Sequence, residues 1–391
     1  MRLSPDPAAR RRLLWLALVA AAALVTGVAI GAGGGGSKSP PGDDAESASP
    51  PAGAPPPSPT AGLTLRQLVG QTLILRFEGT VPPTYVRDAL RSREVAGAIL
   101  FRDNVVAPEQ VSALTDELQG AARGSALVSA DQEGGEIRIF AFAAPEAAPP
   151  TLTDASLASR TARATAADLR DLGVNVNLAP IVDVPFGSGS VIASRAYPGD
   201  PSAVGDLVAA AVRGHADRDV AATAKHFPGL GAATQNTDDA PVTIEGDRGT
   251  LESDLEPFRA AIEEDVPLVM ASHARYPAYD GERIASRSPV VLEQLLRDRL
   301  GFDGVIVTDS LEAEASLEGT NAPDAAVDSL DAGVDLVLMT GSGSYPAVFD
   351  AVLSEARRSP AFRARVEEAA GRVVALKERL GLRAPTGDRA P

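Results

Sequence analysis

Eight short apolar runs, each followed by a polar or amphipathic stretch, constrain this chain more than any other feature. They are QTLILRF (71–77), VAGAILF (95–101), SALVSAD (125–131), VNVNLAP (174–180), VAATAKH (220–226), PLVMASH (267–273), GVIVTDS (304–310) and DLVLMTG (335–341). Between them, residues 107–122, 156–172, 202–218, 251–264, 289–300 and 324–332 repeat apolar side chains at a spacing near 3.6 and predict helices. Pro108 and Pro201 stand near two of the helix starts, where a missing N–H costs little. Runs that are apolar throughout mean parallel strands covered on both faces by helices. The predicted fold is an α/β (β/α)8 TIM-type barrel, the usual closure of this repeat over about 250 residues or more. An open doubly wound sheet is the competitor. Polar residues at the C-terminal end of strand after strand favour the barrel, whose active face they would line, and no GxGxxG follows the first run.

Composition excludes several classes. The net charge of −16 becomes −17 once residues 1–62, which carry five cations and four anions, are set aside. Such a body repels phosphates, so nucleic acid is excluded as a partner. The absence of Cys removes disulfides, thiol nucleophiles and Cys-containing metal sites.

The first segment reads as an address. Arg10-Arg11-Arg12 precedes an apolar run from Leu13 to Ile30, broken only by Thr26 and Gly27. Its length fits a single membrane anchor, with a cleaved signal peptide as the alternative. Basic residues before it would place the remainder outside the cytoplasm. The expected organisation is an anchor or signal at 1–32, a Gly-, Pro- and Ser-rich disordered tether at 33–62, a barrel domain at 63–383 and a tail at 384–391. Membrane contact is expected through the first segment alone, and the barrel is expected to be a monomer.

The strand ends carry the chemistry. Strand 3 runs into Asp131, strand 4 is followed by Asp183 and then Ser194-Arg195, strand 5 ends at Lys225-His226, strand 6 at His273 and strand 7 at Asp309. Lys225 and His226 are adjacent in a chain with only three lysines and three histidines. An ammonium suits a tight pocket that a planar guanidinium does not. In a barrel these side chains converge on one mouth as a polar, hydroxyl-binding pocket with a candidate nucleophile. Asp309 is that nucleophile, because Lys225 and Arg195 would keep its carboxylate ionised. Asp131 can accept from two sugar hydroxyls, and His273 joins Arg195, Lys225 and His226 among the expected substrate-binding residues. Each residue alone has a structural reading, such as a carboxylate capping a helix.

The blocks ILFRDN, DQEGG, APIVDV, SRAYPGDP, KHFPGLG, VMASHARYP, LLRDRLGFDGVIVTDSL and AGVDLVLM, in this order, resemble the family 3 glycoside hydrolases. The resemblance is strongest to their single-domain bacterial branch of β-N-acetylglucosaminidases (β-N-acetylhexosaminidases), and covers about residues 64–382. It implies that Asp309 is the nucleophile and that Asp131, Arg195 and the Lys225-His226 pair bind the sugar. The implied reaction is retaining hydrolysis of terminal non-reducing β-linked N-acetylglucosamine through a glycosyl-Asp intermediate, usually on peptidoglycan fragments. The partner is then a carbohydrate, and no metal or organic cofactor is implied.

One loop departs from that pattern. The branch reads KHFPGHG followed by an Asp-Ser-His turn whose His is the acid/base. Here Leu230 replaces the first His, Asn236 stands for the orienting Asp, and Asp238 stands for the catalytic His. Ile139 occupies a usual Arg position and Glu136 a usual basic one; the adjacent Arg138 is expected to point the other way. Asp238 is the candidate acid/base if burial or Asp239 raises its pKa; the alternative is a solvated turn. Two other functions stay open: a catalytically silent barrel that binds cell-wall sugars, and a β-glucosidase or β-xylosidase. Larger members of the latter kind take their acid/base from a second domain, whereas this chain runs about ten residues past its last predicted helix (360–380), which ranks that reading third.

Overall fold

The structure is a computed structural model that describes residues 59–187 and 189–383. The anchor or signal at 1–32, the tether up to residue 58 and the tail at 384–391 lie outside the described residues. Among the described residues no helix is long and apolar enough to cross a membrane.

All eight apolar runs contain a strand. The strands are β1 (Leu73–Arg76), β2 (Gly97–Ile99), β3 (Leu127–Ala130), β4 (Val176–Asn177), β5 (Ala221–Phe227), β6 (Leu268–Ala271), β7 (Val305–Thr308) and β8 (Val337–Leu338). They pair in parallel in the order β7-β6-β5-β4-β3-β2-β1-β8. A parallel bridge between Val307 and Leu336 joins the two ends of that order, giving the ring of a (β/α)8-type barrel. A doubly wound sheet would instead leave two free edges and a reversal in strand order.

Strand period decides what fills the ring. Ile74, Ile99, Leu127, Val176, Leu268, Met270, Val305 and Val307 belong to one buried cluster inside the barrel. Their neighbours Leu73, Ala98, Val128, Val269 and Ile306 belong to a second cluster, shared with the surrounding helices. The predicted helix at 251–264 is two helices, Arg248–Ser253 and Glu256–Glu263, because Pro257 sits in the first turn of the second, where it starts a helix but cannot continue one.

Closure between β7 and β8 rests on Asp335. Its N–H donates to the Ile306 carbonyl (2.8 Å), and its carboxylate accepts from the Ile306 N–H (2.9 Å). The same fully buried carboxylate pairs with Arg297 (2.5 Å), Arg365 (2.6 Å) and Arg372 (3.0 Å). Arg365 and Arg372 lie on the C-terminal helix Pro360–Arg379, so one side chain ties the last helix to the closing strands. Asp335→Ala would leave three guanidinium groups without this counter-charge. It is expected to lower unfolding free energy by about 3–5 kcal/mol, read as a fall in urea midpoint; an unchanged midpoint would refute the closing role.

Candidate active site

A cavity of about 580 Å³ opens at the C-terminal ends of the strands. Its floor includes Ile99, Leu178, Met270 and Leu338, and its wall carries Asp131, Arg195, Lys225, His226, Asp238 and Asp309. Six of the seven sequence candidates therefore converge on one cavity. Parity explains the convergence. Leu127 points inward and so does Asp131 four residues later; Val305 and Val307 point inward and so does Asp309. Lys225 continues the inward series from Ala221. His226 should point outward by the same count, but the pairing of β5 with β6 shifts register between Lys225 and Phe227, and both side chains line the cavity.

Parity also corrects one expectation. His273 follows Val269 and Ala271 on the outward-facing series of β6, and it is fully buried away from the cavity wall. Its Nε2–H donates to the Ser310 carbonyl (2.9 Å), which leaves Nδ1 to accept from the Ser286 hydroxyl (2.7 Å). Burial first, outweighing the pull of Asp309, lowers its pKa and keeps the imidazole neutral. His273 supports the turn behind Asp309 and does not face the space a substrate would take.

The centre of the site is an ionic cluster. The Lys225 ammonium lies 2.6 Å from Asp131 Oδ1 and 2.8 Å from Glu133 Oε1. Arg195 grips Glu133 with two parallel N–H donors, at 2.9 and 2.7 Å. Burial alone would push the Glu133 carboxyl up, but Lys225 and Arg195 overcome it and hold its pKa at about 2. Lys225 is likewise raised: burial opposes its charge, and Asp131 with Glu133 more than offset that. Glu133 was passed over in the sequence, although it lies within the DQEGG block. The usable signal was the need of two buried cations for a second carboxylate.

Asp183 organises the neighbouring corner. Its Oδ2 accepts from His226 Nδ1 (2.8 Å), and its Oδ1 accepts from the N–H groups of His226 (3.0 Å) and Leu230 (2.7 Å). That fixes Nδ1–H toward Asp183 and presents Nε2 to the cavity, 3.9 Å from Asp309 Oδ2. Asp309 is pushed up by burial and drawn down further by His226 first, then by the Ser310 N–H and Lys225, so its pKa lies below the usual carboxylate value.

Asp238 stands on the loop after β5. The Asn236 side chain contacts it twice, through Nδ2 to Oδ2 (3.3 Å) and through Oδ1 to the Asp238 N–H (3.2 Å). The loop is stitched to the segment after β7: Glu314 N–H donates to the Asp238 carbonyl and Ala315 N–H to the Thr237 carbonyl, both at 3.1 Å. On its other side Gly231 lies so close that a Cβ there would fall 1.8 Å from the Val184 carbonyl oxygen. The Asp238 side chain reaches solvent at the mouth while the cavity wall crowds it. Crowding first, then the charge of Asp309, raises its pKa. An acid with a raised pKa beside an acid with a lowered one is the arrangement that separates a proton donor from a nucleophile.

Residues 64–376 match the glycosyl hydrolase family 3 N terminal domain. The chain belongs to glycoside hydrolase family 3. It is 32% identical over 312 residues to a beta-hexosaminidase of Hydrogenovibrio crunogenus, covering 74% of this chain and 85% of that one. Among solved structures, a family 3 beta-N-acetylglucosaminidase from a Paenibacillus species shares 35% identity with a TM-score of 0.77 over 84% of this chain; the match spans 66% of that protein, just under two thirds of its length. A beta-N-acetylhexosaminidase from Beutenbergia cavernae gives 29% identity and a TM-score of 0.76, covering 81% of this chain and 99% of its own.

The two departures that this family 3 chain shows beside DQEGG have a structural outcome. Arg138 turns out of the site and donates to the Ala143 carbonyl (3.1 Å) and to that of Ala141, while Ile139 and Glu136 line the cavity. Among the described residues, the Lys and Arg side chains that line the cavity are Arg195 and Lys225, and neither stands at the Ile139 position.

The ionic cluster makes a pH prediction. A carboxyl whose pKa falls from 4.5 to about 2 on folding contributes stability that is fully present above pH 4.5 and is lost as pH drops toward 2. Glu133→Gln is expected to cost on the order of 3 kcal/mol at neutral pH. The gap to the parent protein should narrow as urea melts are taken from neutral pH to about pH 3. A gap that stays constant would show that the Glu133 charge does not hold the cluster.

Proposed function

We propose that this chain is a retaining β-N-acetylhexosaminidase that releases terminal β-linked N-acetylglucosamine, with peptidoglycan fragments among its substrates. One observation carries the reading: Asp309, held ionised, faces the His226 ring across the cavity floor beside the Lys225–Asp131 pair. The similar proteins named as a beta-hexosaminidase, a beta-N-acetylglucosaminidase and a beta-N-acetylhexosaminidase support it.

In this mechanism the Asp309 carboxylate attacks the anomeric carbon while Asp238 donates its proton to the departing glycosidic oxygen. The Asp238 carboxylate then takes a proton from water, whose oxygen attacks the same carbon and releases Asp309. The sugar is held by what the cluster leaves free. Lys225 has used two of its three N–H donors, Asp131 has its second oxygen available, and Arg195 keeps its Nη1 donors. We place the barrel outside the cytoplasm, because basic residues precede the apolar first segment; a phosphatase fused to its C-terminus should be active only if this is so. Exposure of Asp238 favours a second reading, a barrel that binds these sugars without turning them over.

The full chain should release nitrophenol from an aryl N-acetyl-β-glucosaminide, and Asp309→Ala should abolish this. Asp238→Asn should reduce kcat by about 10²–10⁴-fold. The acid limb of the pH profile should lie low, because Asp309 stays ionised below the usual carboxylate range. The alkaline limb should follow the raised Asp238 pKa and vanish in Asp238→Asn. Activity no greater than that of Asp309→Ala, with calorimetric binding of N-acetylglucosamine, would establish the silent barrel instead.

A further inference from the structure

We propose that the leaving-group side of the cavity selects uncharged or cationic aglycones and disfavours a carboxylate beside the cleaved bond, with Glu136 as the residue that sets the preference. The proposal rests on the roles given above to Asp309 and Asp238.

The charge inventory of the cavity is one-sided. Five carboxylates line it, from Asp131, Glu136, Asp238, Asp309 and Glu312, against the permanent cations Arg195 and Lys225. Both cations are already committed. Lys225 pairs with Asp131 and Glu133, and Arg195 pairs with Glu133, so these four side chains form a neutral cluster. Among the described residues no Lys or Arg lies within ion-pair distance of Glu136, Asp238 or Glu312. Asp309 is used on the anomeric carbon. Asp238 must carry a proton to act as the acid. The charges left to meet a leaving group are therefore Glu136 and Glu312.

These two differ in freedom. Glu312 is pinned: it accepts from the Thr340 N–H (2.7 Å) and hydroxyl (3.3 Å) and from the Ser344 hydroxyl (2.5 Å). Glu136 is exposed on the tight turn that joins Gln132–Gly134 to Ile137–Arg138, and no hydrogen bond to its carboxylate is formed within the described residues. Its backbone is fixed, since Arg102 donates to its carbonyl (2.8 Å). The turn thus holds an unpartnered carboxylate at the mouth, next to the apolar wall of Ile137 and Ile139. A leaving group with its own carboxylate meets like charge there, and one with an ammonium meets a partner. Among sugars the distinction is chemical: N-acetylglucosamine is neutral, glucosamine is cationic, and a 3-O-lactyl sugar is anionic unless its carboxyl is tied up as an amide.

The test compares three disaccharides on the full chain, each with N-acetylglucosamine β-1,4-linked to N-acetylglucosamine, to glucosamine or to N-acetylmuramic acid with a free lactyl carboxylate. At low ionic strength the acidic disaccharide should have a kcat/KM at least about fivefold below the neutral one, and the cationic one should equal or exceed the neutral. Raising the salt to about 0.5 M should compress the range, because exposed charges are screened. Glu136→Arg should reverse the order of the acidic and cationic substrates. Equal rates on all three, or an order that Glu136→Arg does not change, would overturn the proposal and leave the hydrolase reading intact. No turnover of any of them, together with none of the aryl glycoside, would overturn both.

Discussion

Everything at this site depends on keeping a charged ammonium inside the barrel. The Lys225 side chain is 3% exposed, and a buried ion costs several kcal/mol unless it is paired and hydrogen-bonded. Asp131 and Glu133 supply the counter-charge, and Arg195 balances the second carboxylate. The cluster draws on the ends of β3 and β5 and on the long connection after β4, so one electrostatic requirement fixes three loops relative to each other. A lone carboxylate facing Lys225 would leave Arg195 without a reason to enter the site. With Glu133 shared between them, the two cations sit side by side at little net charge. The oxygens and N–H groups left over are aimed at the cavity.

The sequence revealed the parts that obey periodicity. Eight apolar runs became eight strands because residues buried on both faces need no alternation, and the strand-end polar residues landed on one face because all strands run the same way. The inward or outward direction of each side chain was also encoded, at a finer grain. Counting by two from Leu268 and Met270 would have placed Ser272, and not His273, on the inward series. The same count places Arg138 away from the cavity. What could not be counted was the register shift that turns His226 inward next to Lys225. Long-range partnerships were equally hidden: Glu133 with Arg195, Asp183 with His226, and Asp335 with three arginines join residues 30 to 62 positions apart. Spacing in the chain carries no trace of these pairs, although the scarcity of Lys and His marked where one end of the network lay.

In the mechanism proposed for this site, the loop that departs from the family pattern carries the proton donor with a changed chemistry. Asn236 holds Asp238 two positions on, as the orienting Asp would hold a His in the pattern the sequence resembles. The exchange is consistent in charge. A carboxylate orienting a carboxylic acid would add a third negative group beside Asp309 and push the pair further apart in pKa, whereas a neutral amide donates to one oxygen and leaves the other for the proton. Leu230 keeps the backbone N–H that Asp183 accepts, which any residue but proline would supply, and its apolar side chain suits the buried position.

Replacing an imidazole by a carboxyl also changes what the mouth of the cavity can tolerate. An imidazole donor is cationic before it gives up its proton and neutral afterwards, so it attracts a negative leaving group at the moment of transfer. A carboxyl donor is neutral before and anionic after, and it repels one. With Ile139 in place of a cation and Glu136 at the turn, no Lys or Arg among the described residues pairs with Asp238 or Glu136 to reverse that sign. The fixed charges around the leaving group and the charge that develops on the donor therefore act in the same direction. Under the proposed mechanism a leaving group with its own positive charge is favoured as the bond breaks, a neutral one is unaffected and a negative one is opposed, so the acid/base exchange and the acidic rim act with one sign.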